Sequence, residues 1–224
     1  ASTAAMAEEV AVAVAEAAAP PRAVDLGCGK GRDAVYLASR GWSVLVVDRQ
    51  RASSSRLGAV PELPYRSVLA VDNQRAFLDH VQAFAARQGL SSRVAVACVD
   101  LRTHRPGCVP RLRELLAPPL QLVSLARFLS RSLLDEVVAL MPLGCCVAVH
   151  HFGAGAVSLK SGRPIKGGNP DSCGLAAGEL AARYAGALRV LLDEESRSVE
   201  GRPLLSFVAR KESGGEAVRA GAQR

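Results

Sequence analysis

Along most of this chain, short apolar runs alternate with segments whose apolar positions recur at three and four. Residues 23–26, 43–47, 93–99, 120–125 and 145–151 are almost wholly apolar, which predicts strands covered on both faces, as in a parallel sheet. Between them, Ala34, Val35, Leu37 and Ala38 predict a helix over residues 32–40, ended by Gly41. Phe77, Leu78, Val81, Phe84 and Ala85 predict another over 73–89, ended by Gly89. Shorter helices are expected at 110–116, at 133–140, and at 177–187 with Glu179 in its first turn. Residues 2–19 read as a further helix with Glu8, Glu9 and Glu16 on a polar side, stopped by Pro20-Pro21. Two β runs, 189–198 and 203–210, are joined by Glu200-Gly201-Arg202 and form a closing hairpin.

The pattern lapses in three places. Residues 49–66 carry serines and prolines where a helix is expected, and read as an insertion. Residues 153–174 are glycine- and proline-rich with Lys160, Arg163 and Lys166, long for a connection, and read as a lid. From Lys211 the chain is polar and reads as a frayed tail. The sum is one α/β domain over residues 1–224. Its fold is doubly wound and Rossmann-like: a seven-stranded, mostly parallel sheet with a C-terminal antiparallel hairpin and helices on both faces.

Composition narrows the class. Alanine and valine supply much of the apolar content and aromatics are only 4%, which suits helices packed on a sheet of small side chains. No apolar run reaches the ~18 residues of a membrane span. The Ala-rich start has glutamates and no basic n-region, so it does not read as a signal peptide. Net charge is +7, but the arginines are scattered and no aromatic residues interleave them, so a nucleic-acid partner is possible without being indicated. Six cysteines, none spaced Cys-x-x-Cys, read as reduced thiols of a cytoplasmic protein. The four histidines lack metal-ligand spacing, and no metal is expected.

The chemistry concentrates in residues 23–48. A strand, the turn Gly27-Cys28-Gly29-Lys30-Gly31, a helix and a second strand ending at Asp48 make the nucleotide-binding half of a doubly wound fold. Asp48 stands about 20 residues past the turn, where a carboxylate can accept ribose hydroxyls. Dinucleotide folds space their glycines Gly-x-Gly-x-x-Gly and place a pyrophosphate at the helix start. Here the spacing is Gly-x-Gly-x-Gly and Asp25 precedes it, an acid better suited to a cationic or amino-bearing ligand than to a pyrophosphate. An NAD(P)-linked oxidoreductase is disfavoured on those grounds.

The segment Asp25-Leu26-Gly27-Cys28-Gly29-Lys30-Gly31 resembles the first motif of class I S-adenosylmethionine (SAM)-dependent methyltransferases. With Arg32-Asp33-Ala34-Val35-Tyr36-Leu37-Ala38, and later His151-Phe152, Gly162-Arg163-Pro164 and Gly178-Glu179-Leu180, it is similar to their tellurite-resistance-type branch. The likeness runs from about residue 24 to 210 and is strongest over 24–48. It implies SAM as cofactor, with the glycine turn against the methionine part, Asp25 near the ammonium and Asp48 on the ribose. An acid after the third strand, Asp100, would meet the adenine amine. The cofactor set is therefore Asp25, Gly27, Cys28, Gly29, Asp48, Arg49, Asp100 and Leu101.

The resemblance implies methyl transfer to a small acceptor such as a thiol or metalloid, and leaves the acceptor open. The fourth strand ends without the acid that many amino methyltransferases use to orient an amine. Arg127 and Arg131 stand there instead and could bind an anionic group. His150 and His151 end the fifth strand on opposite faces, and His151 is the candidate catalytic base. A non-catalytic module of the same fold and an RNA methyltransferase are the alternatives. The oligomeric state is not legible.

Overall fold

A computed structural model describes residues 21–49, 75–99, 101, 108–165 and 170–212, the side chains of 45–49, 75–78, 98–99 and 108 excepted. The predicted N-terminal helix, residues 50–66 of the predicted insertion, Asp100, and the tail beyond Glu212 lie outside the described residues.

The strands are β1 (Arg22–Leu26), β2 (Ser43–Arg49), β3 (Val94–Val99), β4 (Leu122–Ala126), β5 (Cys146–Phe152), β6 (Leu188–Arg197) and β7 (Pro203–Lys211). The helices are α1 (Arg32–Ser39), α2 (Arg75–Arg87), α3 (Cys108–Leu115), α4 (Arg131–Leu140) and α5 (Glu179–Arg183). One seven-stranded sheet runs in the order β3-β2-β1-β4-β5-β7-β6. β7 pairs antiparallel with both β5 and β6, and the remaining pairings are parallel. The strand order reverses between β1 and β4, so their carboxyl ends open the crevice where doubly wound folds bind ligands.

Strand parity divides the core. Val24, Leu26, Val123, Leu125, Val147 and Val149 face a layer containing Leu112, Leu133, Val137 and Leu180 from α3, α4 and α5. Ala23, Val44, Leu122, Cys146 and Ala148 face α1 and α2, where Val35, Leu37, Trp42, Val81 and Ala85 close the second layer. Both faces of the central strands are buried, so their sequences read as continuous apolar runs and not as alternation. Among the described residues no helix is long and apolar enough to cross a membrane.

Two boundaries differ from the sequence reading. Arg49 does not open the insertion; it ends β2, in register with Val99. Lys211 does not begin a frayed tail. It closes β7, lies 6% exposed, and donates from Nζ to the carbonyls of Ala139 and Met141 at 2.9 Å each. A lysine can bury its stem while the ammonium satisfies carbonyls left open at a helix C-terminus, here that of α4.

Candidate functional site at the carboxyl edge of the sheet

The site begins with the turn from β1 into α1. Gly27, Gly29 and Gly31 all adopt positive φ, at 79°, 52° and 69°. At Gly27 a side chain is excluded twice over, because a Cβ would also stand 2.2 Å from Cγ of Phe128. At Gly31 the constraint is α2, whose Val81 methyl would lie 2.5 Å from an added Cβ. Around Gly29 the space is open, with no atom of the described residues within 4 Å of an added Cβ. The turn is thus pressed from two sides and open at its middle, a cradle in which a ligand can approach backbone. Cys28 and Gly29, carried in the predicted cofactor set, lie here.

Asp25 lies beneath this turn, 1% exposed. It is in register with Ser124 of β4, and both point to the α1 side of the sheet, in line with Ala23 and Leu122. One step further along, Ala126 is in register with His150, and His150 Nδ1 lies 3.1 Å from Ser206 Oγ of β7. A row of buried polar groups, Asp25, Ser124, His150 and Ser206, therefore runs across an otherwise apolar layer toward the carboxyl edge.

His151 points the other way. It is 0% exposed on the face lined by Val147, Val149 and Leu205, with its ring edge-on to Phe152 at 5.8 Å. Pleating sends consecutive residues to opposite faces, and the face shared with Asp25 falls to His150. The structure does not bring His151 to the site, and His150 takes its place as the titratable group there. Burial pushes the His150 imidazole below its ordinary value, the Arg127 charge adds to the shift, and Asp33 in the first turn of α1 works against it. The ring is therefore held neutral and able to accept a proton at neutral pH.

That shift has a measurable consequence. The unfolded chain protonates His150 near pH 6.5, whereas the folded chain resists it until lower pH. The contribution is intact above about pH 6.5 and is lost as pH falls toward the folded value, at up to about 1.4 kcal/mol per pH unit. Urea midpoints measured between pH 7.5 and 5.5 are expected to fall less steeply in His150→Gln than in the parent chain. Equal slopes would remove His150 from that role.

The two arginines separate. Arg127 follows β4 at φ 56°, left-handed for a non-glycine residue, with its N–H on the His150 carbonyl at 2.6 Å. Its exposed guanidinium lies 5.9 Å from the Phe152 ring centroid, with Arg202 at 4.9 Å from the same ring, and among the described residues no carboxylate pairs with it. Such a backbone strain persists only where the surroundings impose it, and commonly at ligand sites. Arg131 is different. Nε donates to Glu179 Oε1 at 2.6 Å and Nη2 to Oε2 at 2.9 Å. Nη1 reaches the carbonyls of Pro170 and Cys173 at 2.8 and 3.2 Å, and Nη2 that of Gly174 at 3.3 Å. All five N–H groups of a guanidinium are thereby engaged within the protein, so Arg131 is not brought to the site as an anion binder.

The same contacts bear on the predicted lid. Asp171 accepts from Ser132 N at 2.7 Å and from Ser130 Oγ at 2.6 Å, which ties the loop to the start of α4. Gly153 bridges Leu175, and Val157 bridges Pro164. The described parts of residues 153–174 are held at both ends.

The backbone of Asp48 and Arg49 forms the carboxyl end of β2; their side chains are not described. Leu101 is buried, 2% exposed, in the layer of α3 and α4. Phe128, Asp33 and His150 were not singled out from sequence. Strand parity could have found His150 once the register was known, whereas nothing local announces that Phe128 closes on Gly27.

The family described as tellurite resistance protein TehB matches residues 2–83, which include the glycine turn and β2. The chain has the class I methyltransferase fold. Solved structures agree on the fold at low identity. TehB from Haemophilus influenzae superposes with TM-score 0.54 at 18% identity, over 92% of this chain and 62% of that one. The [4+2]-cyclase SpnF gives 0.57 at 14%, over 94% and 82%. Coclaurine N-methyltransferase bound to N-methylheliamine and SAH gives 0.53 at 13%, over 87% and 51%. The chain spans under two thirds of the length of the TehB structure it resembles. No curated protein sequence matches it.

Proposed function

We propose that this chain is a SAM-dependent methyltransferase acting on a small acceptor that carries an anionic group. The observation that carries the reading is the glycine cradle. Backbone open at Gly29, closed off by Phe128 and Val81 on either side, lies over a buried Asp25 at the switch point of the sheet. Those residues fit SAM: a carboxylate beneath the turn suits an ammonium, and the open backbone suits the methionine part. Gly27, Cys28 and Gly29 would cradle it, Asp48 and Arg49 would meet the ribose end, and Asp100 and Leu101 the adenine. SAM supplies an activated sulfonium methyl, so the protein's work is positioning and exclusion of water.

Arg127 is exposed beside the crevice and holds its charge for an anionic group on the acceptor. Neutral His150, fixed at Nδ1 by Ser206, can take a proton from a thiol or hydroxyl. No acid ends β4, which disfavours amine acceptors. Small thiols and metalloid oxyanions are the acceptors to test first. The second reading, a non-catalytic module of this fold, is favoured only by that missing acid. RNA methylation would declare itself by steep salt dependence of RNA affinity.

The test is calorimetric titration with SAM and with S-adenosylhomocysteine. Micromolar binding of both is expected, weakened by about 1–3 kcal/mol in Asp48→Ala through lost charged hydrogen bonds. A folded chain that binds neither would give the module reading its place. An unchanged dissociation constant in Asp48→Ala would take Asp48 off the ribose.

A further inference from the structure

Beyond the cofactor crevice, on the outer side of the glycine turn, lies a second concavity of about 350 Å³ lined by Lys30, Arg32, His80, Phe84 and Arg87. That volume is at the small end of the roughly 300–1,000 Å³ typical of ligand pockets. Lys30 comes from the turn and Arg32 from the first position of α1, while His80, Phe84 and Arg87 lie along α2. Among the described residues no carboxylate lines it and none pairs with Lys30, Arg32 or Arg87. The apolar wall is Phe84, with the Arg87 guanidinium over its ring at 5.8 Å and His80 tilted against it at 6.4 Å.

We propose that this concavity is a nucleotide-binding site separate from the cofactor crevice. Three cationic side chains converging from two elements match the oxygens of a phosphate. The stacked Arg87–Phe84 pair and the His80 ring offer planar surface to a nucleobase. A phosphate alone would leave that surface unused, and an uncharged ring would leave three like charges facing one another uncompensated. A phosphorylated planar ligand satisfies both halves.

The experiment is titration of the chain with cytidine monophosphate, whose base does not imitate adenine, with and without S-adenosylhomocysteine. Saturable binding is expected, indifferent to S-adenosylhomocysteine and weakened at least tenfold in Arg32→Gln/Arg87→Gln. Both positions are exposed, so the variant is expected to fold. Phe84→Leu, which keeps an apolar side chain, is expected to weaken cytidine monophosphate while leaving inorganic phosphate unchanged. Weak, non-saturating uptake would mark an ordinary solvated basic face and overturn the proposal. So would saturable binding that survives the double substitution, or that S-adenosylhomocysteine displaces.

Discussion

Gly27→Ala is expected to abolish SAM binding and to lower stability by roughly 3 kcal/mol, through two costs that add. The backbone cost arises because φ at Gly27 is 79°, and an L side chain in the left-handed region loses about 1–2 kcal/mol. The packing cost arises because the new Cβ would stand 2.2 Å from Phe128 Cγ and 2.4 Å from its Cβ, so the segment after β4 must shift, at about 1–3 kcal/mol. That shift would also carry Arg127, the neighbour of Phe128, away from the crevice. Gly29→Ala separates structure from function. Its φ is also positive, at 52°, but its Cβ would meet no atom of the described residues within 4 Å, so stability falls only by the backbone cost of about 1–2 kcal/mol. Its methyl nevertheless enters the space held open for the ligand, and SAM affinity is expected to fall as far as in Gly27→Ala. Urea denaturation and calorimetry on the two variants, with Gly27→Ala/Phe128→Ala as a third, check the partition. The third variant removes Phe128 Cγ but keeps its Cβ, 2.4 Å from the new methyl, so it recovers only part of the packing cost and none of the backbone cost. Full SAM affinity in Gly29→Ala would sink the cradle.

Much of this was legible in the chain because the fold writes itself in short local signals. Apolar runs marked the seven strands within a few residues, glycines marked helix ends, and the glycine turn with Asp25 pointed to the crevice before the strand order was known. What was not legible depends on register and on contacts distant in sequence. Which of His150 and His151 shares a face with Asp25 turns on the pairing of β1, β4 and β5, and a slip of one residue would exchange them. Lys211 looked like tail because its polarity is local, whereas its role is set by carbonyls 70 and 72 residues earlier in the chain. Likewise the basic concavity joins residues from the turn and from α2, about 50 residues apart, and no run of basic residues announces it.

Arg131 is the sharpest instance, and its replacement is the second large effect. Position and charge at the start of a helix by the crevice suggested an anion site, yet the partners lie 39 to 48 residues away, in the loop and in α5. Arg131→Ala is expected to cost roughly 2–3 kcal/mol, between the small worth of surface pairs and the 3–5 of fully buried ones, because the pair is partly exposed and three carbonyls lose a donor as well. Arg131→Lys keeps the charge but cannot span both Glu179 oxygens and the carbonyls, so it should restore less than half of the loss. The acid limb of stability changes with it. Burial works against ionisation of Glu179, but the bonds from Arg131 and the Ala176 N–H, with the charges of Arg131 and Arg183, together outweigh it and hold the carboxyl below its ordinary value. That contribution is present above the unfolded value near pH 4.3 and is lost as pH falls through the folded one, so Arg131→Ala should flatten the stability curve below about pH 5. Limited proteolysis gives the spatial reading: cleavage within residues 153–174 should accelerate in Arg131→Ala and not in Arg127→Ala. Acceptor kinetics should divide in the opposite sense, with KM raised by Arg127→Ala. A variant of Arg131 that raised KM while leaving the loop protected and the protein as stable as before would return it to the substrate and dissolve the clamp.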